Sequence, residues 1–110
     1  MSRVNYFAAP IDCPHCGRCV RIAFEADIGV LDLTVFELGE LVILTVPPQG
    51  KAIGPAVYVD WERPFWAVGF GICPNCKKDV TARIVIRDRR FAAANPTREN
   101  LDTFAWGQLA

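Results

Sequence analysis

The chain has 110 residues, with twelve Lys and Arg against twelve Asp and Glu, 52% of residues in the apolar AVILMFWYC set and 22% charged. That fits one small folded domain and argues against disorder. A formal net charge of zero gives no support for a general attraction to nucleic acid or to an anionic membrane, so any such binding needs a local patch. A domain of this size buries only about two-thirds of its unfolded-chain surface, which leaves part of the apolar excess for a subunit contact.

In chain order, Met1-Ser2-Arg3-Val4-Asn5-Tyr6-Phe7 does not open a signal peptide, because Asp12 and a cysteine cluster interrupt the apolar stretch. The longest aliphatic run, Leu41-Val42-Ile43-Leu44-Thr45-Val46, is far below the roughly 20 residues that cross a bilayer. A cytoplasmic protein without membrane contact is expected. Five cysteines without a secretion signal then favour metal or redox chemistry over a disulfide framework.

The first motif is Cys13-Pro14-His15-Cys16, followed by Val20, Ile22, Phe24 and Ala26 at the two-residue period of a half-buried strand. Further strands are expected over 30–38, 40–46 and 56–61. Leu38-Gly39-Glu40-Leu41 reads as a tight connection and Pro47-Pro48-Gln49-Gly50-Lys51 as a turn or loop. Glu62-Arg63-Pro64 separates Trp61 from Phe65-Trp66-Ala67-Val68-Gly69-Phe70, which leads into the second motif, Cys73-Pro74-Asn75-Cys76. Val80, Ala82, Ile84 and Ile86 alternate beyond it, and Arg87-Asp88-Arg89-Arg90-Phe91 ends the last strand. This divides the chain into a β domain over 1–91 and an extension over 92–110. In the extension Asn95-Pro96 supplies an N-cap and a first helical position, and Leu101, Phe104 and Ala105 have i, i+3, i+4 spacing. A short helix over 96–106 is expected, packed on its own sheet or docked on a partner.

The two motifs repeat at an offset of 60, from 13 to 73, and the match runs on through Pro14 and Pro74, Arg18 and Lys78, and Val20 and Val80. Each copy reads as strand, knuckle, strand, so the knuckles can face each other across a pseudo-twofold axis. A CxxC turn puts two thiolates on one side of a tight loop, within reach of a metal at about 2.3 Å, and two turns complete a tetrahedron.

On these motifs the sequence resembles the zinc-ribbon group of small β domains, whose knuckles commonly read CPxC, then a small or basic residue, then a strand. The resemblance covers about residues 7–26 and 67–87. It implies a mainly β, antiparallel, zinc-ribbon-like sheet with one structural Zn2+ per chain held by Cys13, Cys16, Cys73 and Cys76. Four thiolates also suit iron, which stays open. The 56 residues between Cys16 and Cys73 are apolar and not loop-like, so additional strands are inserted, giving a small sheet or partial barrel closed at one end by the metal.

Two residues near the first knuckle need separate assignment. Cys19 makes a triplet with Cys13 and Cys16, but at the repeat offset it falls opposite Asp79, outside a knuckle. It is expected to be a free, buried thiol, with an alternate ligand or a reactive thiol as the other readings. His15, the single histidine, matches the variable Asn75 and is expected to face solvent.

Function narrows by elimination. One histidine, scattered acids and no Gly-rich phosphate loop give no catalytic set and no evident small-molecule substrate, and four cysteine ligands leave no open metal position. Disulfide exchange, a second alternative because CPHC also occurs in dithiol oxidants, needs a cysteine at a helix N-terminus, whereas the residues after Cys16 read as strand. A nucleic-acid-associated ribbon is the other alternative, using Arg18, Lys77, Lys78, Arg89 and Arg90, although basic residues also offset the two negative charges of a divalent tetrathiolate site. The favoured expectation is a non-enzymatic subunit for protein interaction or assembly, as a homo-oligomer or within a larger complex. Trp61, Phe65 and Trp66 are its candidate contact face, set against the ordinary use of aromatics as core.

Overall fold

The structure is a computed structural model that describes residues 5–26, 28, 34–42, 63–101 and 105–109. Its strands are β1 (Asn5–Asp12), β2 (Cys19–Ala26), β3 (Val35–Glu37), β4 (Phe65–Ile72), β5 (Asp79–Arg87), β6 (Arg90–Thr97) and β7 (Trp106–Gln108), with no helix among the described residues. They form one curled sheet in the order β3-β1-β2-β4-β5-β6, with β7 added to β4. All the pairings are antiparallel except β1 with β3. The mainly β expectation holds.

The repeat seen in the sequence is a repeat of backbone. β1 pairs β2 from Asn5 with Ala26 to Asp12 with Cys19, and β4 pairs β5 from Phe65 with Ile86 to Ile72 with Asp79, so the two registers coincide at the offset of 60. Alternation explains the faces: Ile22, Phe24 and Ala26 in β2 and Val80, Ala82, Ile84 and Ile86 in β5 are buried, while Arg21, Ala23 and Glu25 point outward.

Among the described residues the hairpins pair strand to strand on one side only. There β2 and β4 pair at Glu25 and Phe70, and two glycines let the strands approach. A Cβ at Gly71 would lie 2.5 Å from Ile22 Cγ2 and one at Gly69 3.1 Å from Phe24 Cβ, both on β2, so either would force a neighbour to shift. On the other side the chain after β3 turns at Leu38-Gly39, where Gly39 takes φ +88°, and runs back along β6. The Gly39 and Val42 amides donate to the Phe91 and Arg89 carbonyls at 2.8 Å, and the Phe91 amide donates to Glu40 at 3.0 Å. This joins the two ends of the sheet into a partial barrel.

The barrel interior is aromatic. Phe7 stacks on Phe36 at 5.2 Å between centroids and meets Phe91 edge-on at 5.2 Å, tying β1, β3 and β6 together, with Phe24 and Phe65 also fully buried. Burying each such ring contributes on the order of 1.5–3 kcal/mol. Asn5 is a buried polar exception. Its side-chain amide donates to the Ile28 carbonyl at 2.9 Å and its carbonyl oxygen accepts from the Thr34 amide at 3.3 Å, so it satisfies the chain as it passes from β2 towards β3.

Of the inserted strands, the one expected over 30–38 contains β3, and 40–42 of the one expected over 40–46 run beside β6. The strand expected over 56–61 lies outside the described residues. The helix over 96–106 is corrected at its described positions: Pro96 and Thr97 end β6, 98–101 and Ala105 are irregular, and Trp106 opens β7. Asn95 is a ladder partner of Arg83 and Pro96 of Ala82, so Asn-Pro sits on an outer strand, where proline is tolerated. The three main-chain pairings of β7 with β4 supply hydrogen bonding that a short helix with so small an apolar face does not match.

Candidate metal centre

Each knuckle is a tight loop closed by its own backbone. The Cys13 amide donates to Arg18 at 2.9 Å and the Gly17 amide to Cys13 at 2.9 Å; in the second copy Cys73 donates to Lys78 at 3.0 Å and Lys77 to Cys73 at 2.9 Å. The residue after the second cysteine is left-handed in both copies, Gly17 at φ +74° and Lys77 at φ +64°. Glycine adopts this without cost, whereas lysine gives up roughly 1–2 kcal/mol.

These loops bring the four expected ligands together. The Sγ atoms of Cys13, Cys16, Cys73 and Cys76 all lie within 4.8 Å of one another. The shortest approaches cross between the hairpins, at 3.8 Å for Cys13 with Cys76 and 3.8 Å for Cys16 with Cys73. A tetrahedron with metal–sulfur bonds of about 2.3 Å has sulfur–sulfur edges of about 3.8 Å, so the donor set fits a tetrathiolate site. None of the five cysteines is in a disulfide. Cys13 and Cys73 are buried and Cys16 and Cys76 half-buried, so the site caps the barrel at its knuckle end.

Donors converge on the sulfurs. The His15 amide reaches Cys13 Sγ at 3.4 Å, the Cys76 amide reaches Cys73 Sγ at 3.5 Å, and the Asn75 side chain reaches Cys16 Sγ at 3.5 Å from the opposite hairpin. The Arg18 backbone, then Asn75, lower Cys16 to about 6, and the Cys76 backbone lowers Cys73. At Cys76 the Lys78 backbone favours the thiolate, but burial and the three neighbouring thiols together outweigh it and push the group up to about 11. Four thiolates crowded without a cation cannot all ionise, and a divalent cation among them removes that conflict. Zinc is the usual ion for such a set, and tetrahedral iron shares the preference.

The knuckles are also tied crosswise. His15, exposed as expected, donates from Nε2 to the Asp79 carbonyl at 2.9 Å, and Arg98 Nη2 donates to the Pro14 carbonyl at 2.6 Å. Asn75 and Arg98 were missed in the sequence. Asn75 stands at the variable knuckle position and Arg98 lies 22 residues beyond Cys76, with no spacing rule to flag either.

Cys19 lies outside the four-sulfur cluster, as expected of a free thiol, but it is exposed, which corrects its reading as buried. As the first residue of β2, opposite Asp12, it shares the outward parity of Arg21, Ala23 and Glu25. Phe65 is a core residue at 1% exposure, which removes it from any contact face. Trp66 is half-buried, with the Arg83 guanidinium 5.0 Å from its ring centroid, and Trp61 lies outside the described residues. Arg18, Lys77 and Lys78 are exposed beside the knuckles, whereas Arg89 and Arg90 sit at the far turn of the β5–β6 hairpin, roughly 25 Å away along β5. They do not form one basic face.

No protein-family model matches the chain, and neither a curated protein nor a solved structure does. Among the described residues no helix is long and apolar enough to cross a membrane.

Proposed function

We propose that this chain is a small metal-stabilised β protein that works by binding another protein, and that its four cysteines hold one structural zinc. The observation that carries the reading is the single four-sulfur cluster assembled from both hairpins. A tetrahedral ion with four cysteine ligands keeps no position for water or substrate, which favours a structural role over a catalytic one. The knuckle cysteines lie between strands, without the helix N-terminus that activates a cycling dithiol, and the separated basic residues favour a protein partner over a phosphate backbone.

When bound, the ion crosslinks β1–β2 to β4–β5 and supplies order that so small a core lacks, with an apparent binding free energy on the order of 10–16 kcal/mol coupled to folding. The test is chelation of the purified chain, followed by circular dichroism during heating. Loss of the cooperative transition on metal removal, and its return with added zinc, is the expected result. A fully metal-free chain with an unchanged melt would contradict the reading.

A further inference from the structure

Where β2 crosses β4 beneath the knuckles, the outer face of the sheet is concave. A groove of about 670 Å³ is lined there by Arg21, Ala23, Glu25, Phe70, Ile72 and Asp79, among others. A second depression of about 480 Å³ shares Asp79 and Thr81 and continues past β6 to Glu99. The two together cross β2, β4, β5 and β6, a width of three strand spacings or about 14 Å, room for a segment lying along β2 with its side chains over β4 and β5.

The hydrophobic lining is not required by the hairpin itself. Phe70 is 36% exposed and Ile72 60% exposed. Their counterparts at the repeat offset, on the same outward parity, are Pro10 and Asp12, and the first hairpin keeps the same register with them. Charge is equally selective. Arg21 is taken by Glu37 and Arg83 by Glu99, whereas the carboxylates of Glu25 and Asp79 have no ion-pair partner among the described residues. Backbone is available too: β2 pairs β4 only at Glu25 and Phe70, so its edge from Cys19 to Ile22 has no strand partner on that side among the described residues.

We propose that this groove takes an extended segment of a protein partner, with an apolar side chain seated on Phe70 and Ile72 and a basic side chain set against Glu25 and Asp79. The segment gains main-chain hydrogen bonds along the edge of β2 and specificity from its alternate side chains. This rests on the protein-binding reading above and specifies where and what that reading binds.

The test is selection from a displayed library of random heptapeptides against the zinc-loaded full chain, followed by fluorescence anisotropy of the enriched peptide. Enriched peptides are expected to pair an apolar residue with Lys or Arg. Ile72→Glu should weaken them at least tenfold, Asp79→Lys should shift the preference to acidic peptides, and Leu41→Glu, beside Arg90 at the far end of the barrel, should leave binding unchanged. All three positions are exposed, and zinc content equal to wild type checks their folding. Binding that survives Ile72→Glu and Asp79→Lys but fails in Leu41→Glu would overturn the groove while keeping a protein-binding function. A concentration-dependent dimer abolished by Ile72→Glu would replace the partner segment with a second copy of this chain. No enrichment on a monomeric, zinc-loaded chain would overturn the groove as a peptide site, while the structural-zinc reading would stand on its own melting test.

Discussion

On the strand entering each knuckle, the outward positions are Pro10 and Asp12 in the first hairpin and Phe70 and Ile72 in the second, while the inward positions Phe7 and Ala9 match the buried Ala67 and Gly69. The registers, the knuckle hydrogen bonds and the left-handed residue after each second cysteine are the same in both. What the copies share is therefore what the four-sulfur cluster and the barrel require. Where they differ, at Asn5 against Phe65, Ile11 against Gly71, and the outward pair, each hairpin has a neighbour or a task that the other lacks.

The shared part breaks first under substitution. Cys13→Ser and Cys73→Ser should each abolish metal retention and the cooperative melt to the same extent, because each removes the buried first cysteine of its knuckle. Metal content and circular dichroism check this, and a large inequality would mean that one hairpin folds without the other. A smaller effect tests the asymmetry at position 5: Asn5→Ala should cost about 1–3 kcal/mol by removing the buried hydrogen bonds to the Ile28 carbonyl and from the Thr34 amide. Urea unfolding measures it.

Where the hairpins touch, Gly71→Ala should destabilise by about 1–3 kcal/mol, since its Cβ would press on Ile22, with loss of stability in the same urea assay. The smallest effects sharpen the knuckle comparison. Lys77→Gly should stabilise by up to about 1 kcal/mol and Gly17→Ala should destabilise by a similar amount, because both positions hold positive φ. Melting temperatures of the zinc-loaded forms should move in opposite directions.

The four-sulfur cluster was nearly complete in the sequence, because CPxC at a repeated offset specifies both the cysteines and the loops that hold them. The strands on either side were legible from alternation, which also set Cys19 on the outward side with Arg21. Reading that thiol as buried followed its residue type instead of its parity. The closure of the barrel was not legible. It depends on main-chain pairing of 39–42 with β6, and such pairing leaves little pattern in side chains. The apparent helix over 96–106 rested on three residues of suitable spacing, too few to compete with strand addition. Gly69 and Gly71 were visible as a pair, but their meaning, close approach to β2, needs the second hairpin in place.

The central claim is that two copies of one hairpin jointly hold a single structural zinc. Native mass spectrometry of the purified chain before and after chelation tests it most directly. The account predicts one zinc per chain, lost on chelation together with the folded charge-state distribution. A metal-free chain two hydrogens lighter for each cysteine pair would contradict it, and would make these cysteines disulfide partners instead of ligands.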